Sequence, residues 1–302
     1  MTRAPTFVLP QHLPRPRHSQ LTRLLPSPTQ IVFIALQAFA PIISVFLSEP
    51  NQVHRKNGTQ VKMANFIGFG EEMREMWAII KRKEVALLIP LALYCQWTAS
   101  YAGTFLSLYF SVRSRSLAAF LVPVLSIVAN TILGYFLDAS SIRKNVRAKS
   151  SYIVTMSIVG GVWVWFTVLQ LRYLHDPPKY DWNSHGFGTP FACYLIFYIA
   201  YYLVQNELYW LIAALAREPK ELVRLSSFLR GLESAGSACG FGVSSRKTLS
   251  KTVPLSIDFA LWGVSTLIAW FTVKEIGTTI DYKFKSDREG QDLVGEREVD
   301  DK

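Results

Sequence analysis

Residues 130–149 read NTILGYFLDASSIRKNVRAK, and the change of character inside that stretch decides the fold. Upstream lies Leu117–Leu137, a run apolar and long enough to cross a bilayer core of ~30 Å at ~1.5 Å per helical residue. After Asp138 the apolar character stops, and Arg143, Lys144, Arg147 and Lys149 follow with no acid among them. Such a cluster resists translocation and pins this end of the helix to the cytoplasmic side. The Gly134 to Asp138 spacing puts both residues on one helix face. A neighbouring helix is expected to approach closely at the glycine, where the acid meets a base.

Composition agrees with a membrane location. Half of the 302 residues are hydrophobic and 18% are charged, below the roughly 25% of soluble domains. The net charge of +10 sits in the stretches between apolar runs. That favours cytoplasmic retention and contact with anionic lipid headgroups over nucleic acid. Cys95, Cys193 and Cys239 lie in apolar segments without CxxC or His spacing, so buried packing is expected rather than a disulfide or a metal centre.

Working outward, residues 1–29 read as a disordered basic tail and Ile31–Leu47 (within 30–50) as a first span. Residues 51–84 form a charged cytoplasmic loop, whose Glu71–Lys83 part suits a surface helix. Further spans are expected over Val85–Val112, Leu117–Leu137, Tyr152–Leu174, Pro190–Ala216, Ser226–Ser245 and Thr252–Val273, making a bundle over 85–274. A charged cytoplasmic tail, 275–302, closes the chain. In Ser226–Ser245 the small residues Gly231, Ala235, Gly236, Cys239 and Gly240 recur at helical spacing, as in a helix packed inside a bundle. With 51–84 inside, about twenty Lys/Arg lie on that side and seven on the other. The four arginines of 1–29 alone oppose this orientation.

The G-x-x-x-D turn followed by bases resembles the loops of the major facilitator superfamily. It departs from them in Ser141, where a second glycine is usual, and in an Arg-Lys pair one residue late. EPNQVHRKNGT (49–59), YFSVRSRSLA (109–118) and the run 134–148 are similar to the Unc-93-like proteins, the fungal branch especially. The resemblance covers about 30–285. It implies an all-α polytopic membrane protein: the C-terminal six-helix bundle of a major-facilitator-like fold plus one preceding helix. It further implies that helices one to five are missing and that residues 1–29 stand in their place, as an alternative start or a gene-model artefact.

Ionisable groups inside spans are costly, and each is a functional-site hypothesis. Glu207 leads them, ~15 Å inside Arg217, with Gln205, Asn206, Tyr209 and Trp210 adding polar and aromatic surface beside it. Its competing reading is a structural hydrogen bond or ion pair. Arg230 and Glu233 stand at i, i+3 and suit a mutual pair; Gln96 and Asn130 suit interhelical hydrogen bonds. Asp258, near a span end, is expected to reach water and to have no functional role. In the facilitator fold helices seven, eight, ten and eleven line the cavity, and Gln96, Asn130, Glu207, Arg230 and Glu233 all fall on those four. Gly134, Asp138, Arg143 and Lys144 form the conformational loop motif. No P-loop, GxSxG or HExxH occurs, so an enzyme and a cofactor are not expected.

Two functions remain. One is a facilitator-type transporter of a small molecule, of which this chain is an incomplete half. The other is a non-transporting accessory or regulatory partner of a channel or transporter, as some animal relatives are.

Overall fold

The computed structural model describes residues 68–246 and 250–278, with positions 35, 38, 39 and 280. The tail 1–29, the first span apart from positions 35, 38 and 39, the part 51–67 of the charged loop, and the end 281–302 lie outside the described residues. The chain divides into two units, Met1–Phe66 and Ile67–Lys302. In the first, Ala35, Ala38 and Phe39 are helical. Everything below concerns the second.

The helix expected from Glu71 is α1, Phe69–Ile80. The span expected over Val85–Val112 runs Lys83–Tyr109 as three pieces: α2 (Lys83–Ala86), α3 (Ile89–Trp97) and α4 (Ala99–Tyr109). Pro90 explains the first interruption, since it has no N–H for the Ala86 carbonyl and its ring crowds that oxygen. At the second, hydroxyls compete for the backbone: Thr98 Oγ1 donates to the Cys95 carbonyl at 3.5 Å and Ser100 Oγ to the Trp97 carbonyl at 3.0 Å.

Then come α5 (Val112–Asp138), α6 (Lys144–Tyr173), α7 (Gly188–Leu215), α8 (Pro219–Ser244) and α9 (Thr252–Val273). Among the described residues four stretches are long and apolar enough to cross a membrane: Lys83–Tyr109, α5, α6 and α9. The helices α7 and α8 are of similar length, but the first carries Gln205, Asn206 and Glu207 and the second Arg224, Arg230 and Glu233. The chain is an all-α, multi-pass membrane protein.

α3 packs on α8 and α9, α7 on α5 and α6, and α6 on α9. Trp163 and Phe166 of α6 sit at the centre, fully buried, with Tyr101, Phe105 and Phe197 around them. Their polar atoms are paired, as buried groups must be. Trp163 Nε1 donates to Tyr94 Oη at 2.8 Å. Gln170 accepts from Tyr101 Oη and donates to Tyr109 Oη, each at 3.0 Å.

Three sequence expectations need correction. Lys144, Arg147 and Lys149 belong to the first turns of α6 and not to a loop. Among the described residues no atom would lie within 4 Å of a Cβ on Gly134 and Asp138 is exposed without an ion pair, so none of them makes the expected close approach. The α5–α6 turn is held instead by Arg147, whose guanidinium donates to the Leu137 carbonyl, one of the helix's orphan acceptors. Arg143 is exposed and Lys144 half-buried. The small residues of α8 also split between two faces. Gly236 and Gly240 lie against the backbone carbonyls of Leu93 and Trp97, while Gly231, Ala235 and Cys239 are exposed. Cys95 and Cys193 are buried as expected.

Candidate functional site

α3, α7 and α8 bring one polar cluster together. On α7, Tyr201, Gln205 and Tyr209 follow each other at i, i+4 and i+8 and so share a stripe. On α8, Arg230 and Glu233 stand one turn apart beside it. Glu233 is the hub, its side chain only 2% exposed. Its Oε2 accepts from Arg230 Nη1 at 3.0 Å and from Tyr209 Oη at 3.3 Å, and its Oε1 from Gln205 Nε2 at 3.4 Å. Arg230 differs sharply from its partner, with 64% of its side chain exposed. Its guanidinium carbon lies 5.2 Å from the centroid of the Tyr209 ring, within cation–π range. A turn away on α7, Tyr201 Oη donates to Gln96 Oε1 at 2.6 Å.

The chemistry of this wall follows. Glu233 uses its acceptors on the protein, fixing one Arg230 donor and orienting the plane of the guanidinium. A guanidinium has five N–H donors, so the remaining ones face outward over an aromatic ring. The arrangement can hold a carboxylate or another acceptor-rich group. Among the described residues no set of three or more His, Cys, Asp or Glu is placed to hold a metal ion.

Glu207 is not part of it. Two residues beyond Gln205, it points ~200° away around the helix, toward α6. There it is 1% exposed, and its Oε1 accepts from Ser151 Oγ at 2.6 Å. Asn206 is half-buried and makes no side-chain hydrogen bond among the described residues. Asn130 donates back to the Ser126 carbonyl of its own helix at 2.9 Å rather than to a neighbour. Asp258 overturns its expectation outright. It is 1% exposed beneath α3 and α4, with Trp97 against its carboxyl, and does not reach water. Tyr209 is among the sequence neighbours of Glu207, but the structure assigns it to the Glu233 cluster instead, and Tyr201 is an addition the sequence reading lacks. Their signal was the four-residue spacing that puts them in register with Gln205.

Comparison with known proteins adds the relationship. The chain is 29% identical over 251 residues to a protein of Aspergillus versicolor named notoamide biosynthesis cluster protein O′, a match covering 82% of this chain and 54% of the relative. It is 26% identical over 215 residues to an UNC93-like protein of Schizosaccharomyces pombe, covering 68% and 42%. With the UNC93-like protein 1 of Arabidopsis thaliana it shares 26% over 262 residues, covering 82% and 56%. The chain is thus similar to UNC93-like proteins of fungi and plants. No family model matches it, and no solved structure does. The chain spans about half the length of the curated relatives it matches.

Proposed function

We propose that the protein is a facilitator-type transporter of a small molecule and that this chain supplies one wall of its cavity. The observation that carries the reading is the Arg230–Glu233–Tyr209 cluster. Counted from the start of α8, Glu233 lies ~21 Å along the helix, a depth where an ionisable pair is costly unless it has a use. The cluster draws on α3, α7 and α8, which answer to helices seven, ten and eleven of the facilitator pattern. An open guanidinium over a phenol ring favours a small carboxylate-bearing substrate. The biosynthesis-cluster name of the Aspergillus relative also favours small-molecule cargo.

The test compares cells producing a complete two-bundle protein that includes this chain, cells producing the same protein with Arg230→Ala, and empty-vector cells. Metabolites in cells and medium are profiled by mass spectrometry at matched membrane levels of protein. Transport predicts an acidic metabolite whose distribution shifts with the wild-type protein and returns to the vector value in the variant. Identical profiles in all three would overturn this reading in favour of a non-transporting membrane partner.

A further inference from the structure

α1 carries an apolar stripe that the bundle does not cover. Phe69, Met73 and Trp77 fall at i, i+4 and i+8, and are 75%, 44% and 59% exposed. On the adjoining face Ile79 is buried, and Met76 and Ile80 half-buried. That bundle-facing side also carries acids, Glu72 and Glu75 flanking Ile79. Glu72 takes two bonds from Arg224 of α8, Nε to Oε1 at 2.6 Å and Nη2 to Oε2 at 2.9 Å. Glu75 lies 3.7 Å from the same guanidinium, and Arg82 donates to Glu221 at 3.2 Å. This fork of charges fixes how α1 is rotated, and so which way its stripe points.

We propose that α1 is a lipid-docking helix, its Phe69–Met73–Trp77 stripe seated at the headgroup–acyl boundary of the bilayer. Three observations select lipid as the occupant. First, α1 ends at Ile80 and the spanning stretch begins at Lys83, three Cα steps that reach no more than about 11 Å. The helix is therefore tethered at the membrane surface. Second, its exposed residues have the composition of an interfacial helix, with an indole beside a large apolar residue and bases at the edge. Third, Lys81 Nζ stands 5.5 Å from the Trp77 ring centroid, with Arg82 and Lys83 following. This places positive charge at the end of the stripe, where anionic headgroups would meet it. The charged flank turned to Arg224 keeps Glu72 and Glu75 away from those headgroups. This inference does not rest on the transport reading.

The test uses the full chain in vesicles of phosphatidylcholine, with or without phosphatidylserine. In a Cys239→Ser background, which leaves the buried Cys95 and Cys193, an environment-sensitive fluorophore is attached through Met73→Cys or Arg74→Cys. The probe at 73 should emit at shorter wavelength, resist iodide, and be quenched by lipids brominated near the top of the acyl chain. The probe at 74 should be quenched by iodide. Phosphatidylserine should strengthen lipid quenching at 73, and Lys81→Gln should abolish that gain. Equal iodide quenching at both positions would place the stripe in water and overturn the proposal. Shielding of 73 from iodide and brominated lipid alike would overturn it too, showing that a second copy or another protein segment covers the stripe. Phe69→Cys repeats the measurement if Met73→Cys misfolds.

Discussion

Gly236 of α8 rests against the carbonyl oxygen of Leu93 in α3 with no space for a Cβ between them. Gly240 meets the Trp97 carbonyl in the same way one turn later. The obstacle in both cases is backbone, which cannot rotate aside. Gly236→Ala should therefore destabilise the bundle by about 1–3 kcal/mol through overpacking, and Gly236→Leu should prevent its assembly. Gly231→Ala and Gly242→Ala meet nothing within 4 Å and serve as controls that should unfold like the wild type. Thermal unfolding in detergent, read as loss of the monodisperse peak, separates these outcomes.

Ser151 and Glu207 give a second test. The hydroxyl of Ser151 donates to Oε1, and the Thr155 hydroxyl stands beside the same carboxyl. Ser151→Ala leaves a buried carboxyl without that donor and should cost about 1–3 kcal/mol. Glu207→Gln keeps an oxygen to accept the same bond and should cost less. A larger loss in Glu207→Gln than in Ser151→Ala, in the same unfolding assay, would show that the carboxyl has a role beyond this contact.

These two pairs also mark where sequence reading stopped. Long apolar runs marked out the helices, because a span is recognised by length and hydropathy alone. Depth along a helix could likewise be counted, and it put Glu207 and Glu233 well inside the membrane. Which way each residue faces could not be counted. Gln205 and Glu207 are neighbours in the chain but lie on opposite sides of α7, and only the packing of α6 and α8 says which side is which. Asp258 failed for the same reason: it stands six residues into α9, but α3 and α4 cover that turn. Gly134 and Gly236 both suit a close helix approach by sequence, and among the described residues only the second meets another backbone.

The turn between α6 and α7 should respond to acid. Ser111 caps α5, its Oγ accepting from Ser114 N at 3.3 Å while donating to Asp181 Oδ1 at 2.6 Å. That hydroxyl above all, then the Trp182 backbone N–H and the Arg113 charge, holds the Asp181 carboxyl below its ordinary value. Folded Asp181 therefore binds its proton less readily than in the unfolded chain. The contact contributes above the ordinary aspartate value of ~3.9 and fades as pH falls through the lower folded value. Hydrogen exchange at Ser114 and Arg115 should quicken over that range in the wild type. In Asp181→Asn it should be fast already at neutral pH and show no acid step.

Arg230 and Glu233 should answer differently to removal, although they form one pair. Glu233 is the shared acceptor for Arg230, Tyr209 and Gln205. Glu233→Ala strips all three of that acceptor at a buried site, and should cost about 1–3 kcal/mol. Arg230→Ala takes away one of three donors, from a side chain that is mostly exposed, and leaves Tyr209 and Gln205 on the carboxyl. An exposed ion pair contributes ~0–1 kcal/mol, so the stability loss should be correspondingly small. Arg230→Lys should keep the charge but lose the planar fork that lies over Tyr209. If the exposed guanidinium serves a ligand, the order of functional damage is Arg230→Ala, then Arg230→Lys, with both variants folded. Unfolding measured beside the metabolite profile tests this. Arg230→Ala losing as much stability as Glu233→Ala would make the arginine a structural counter-ion and remove the case for a ligand there.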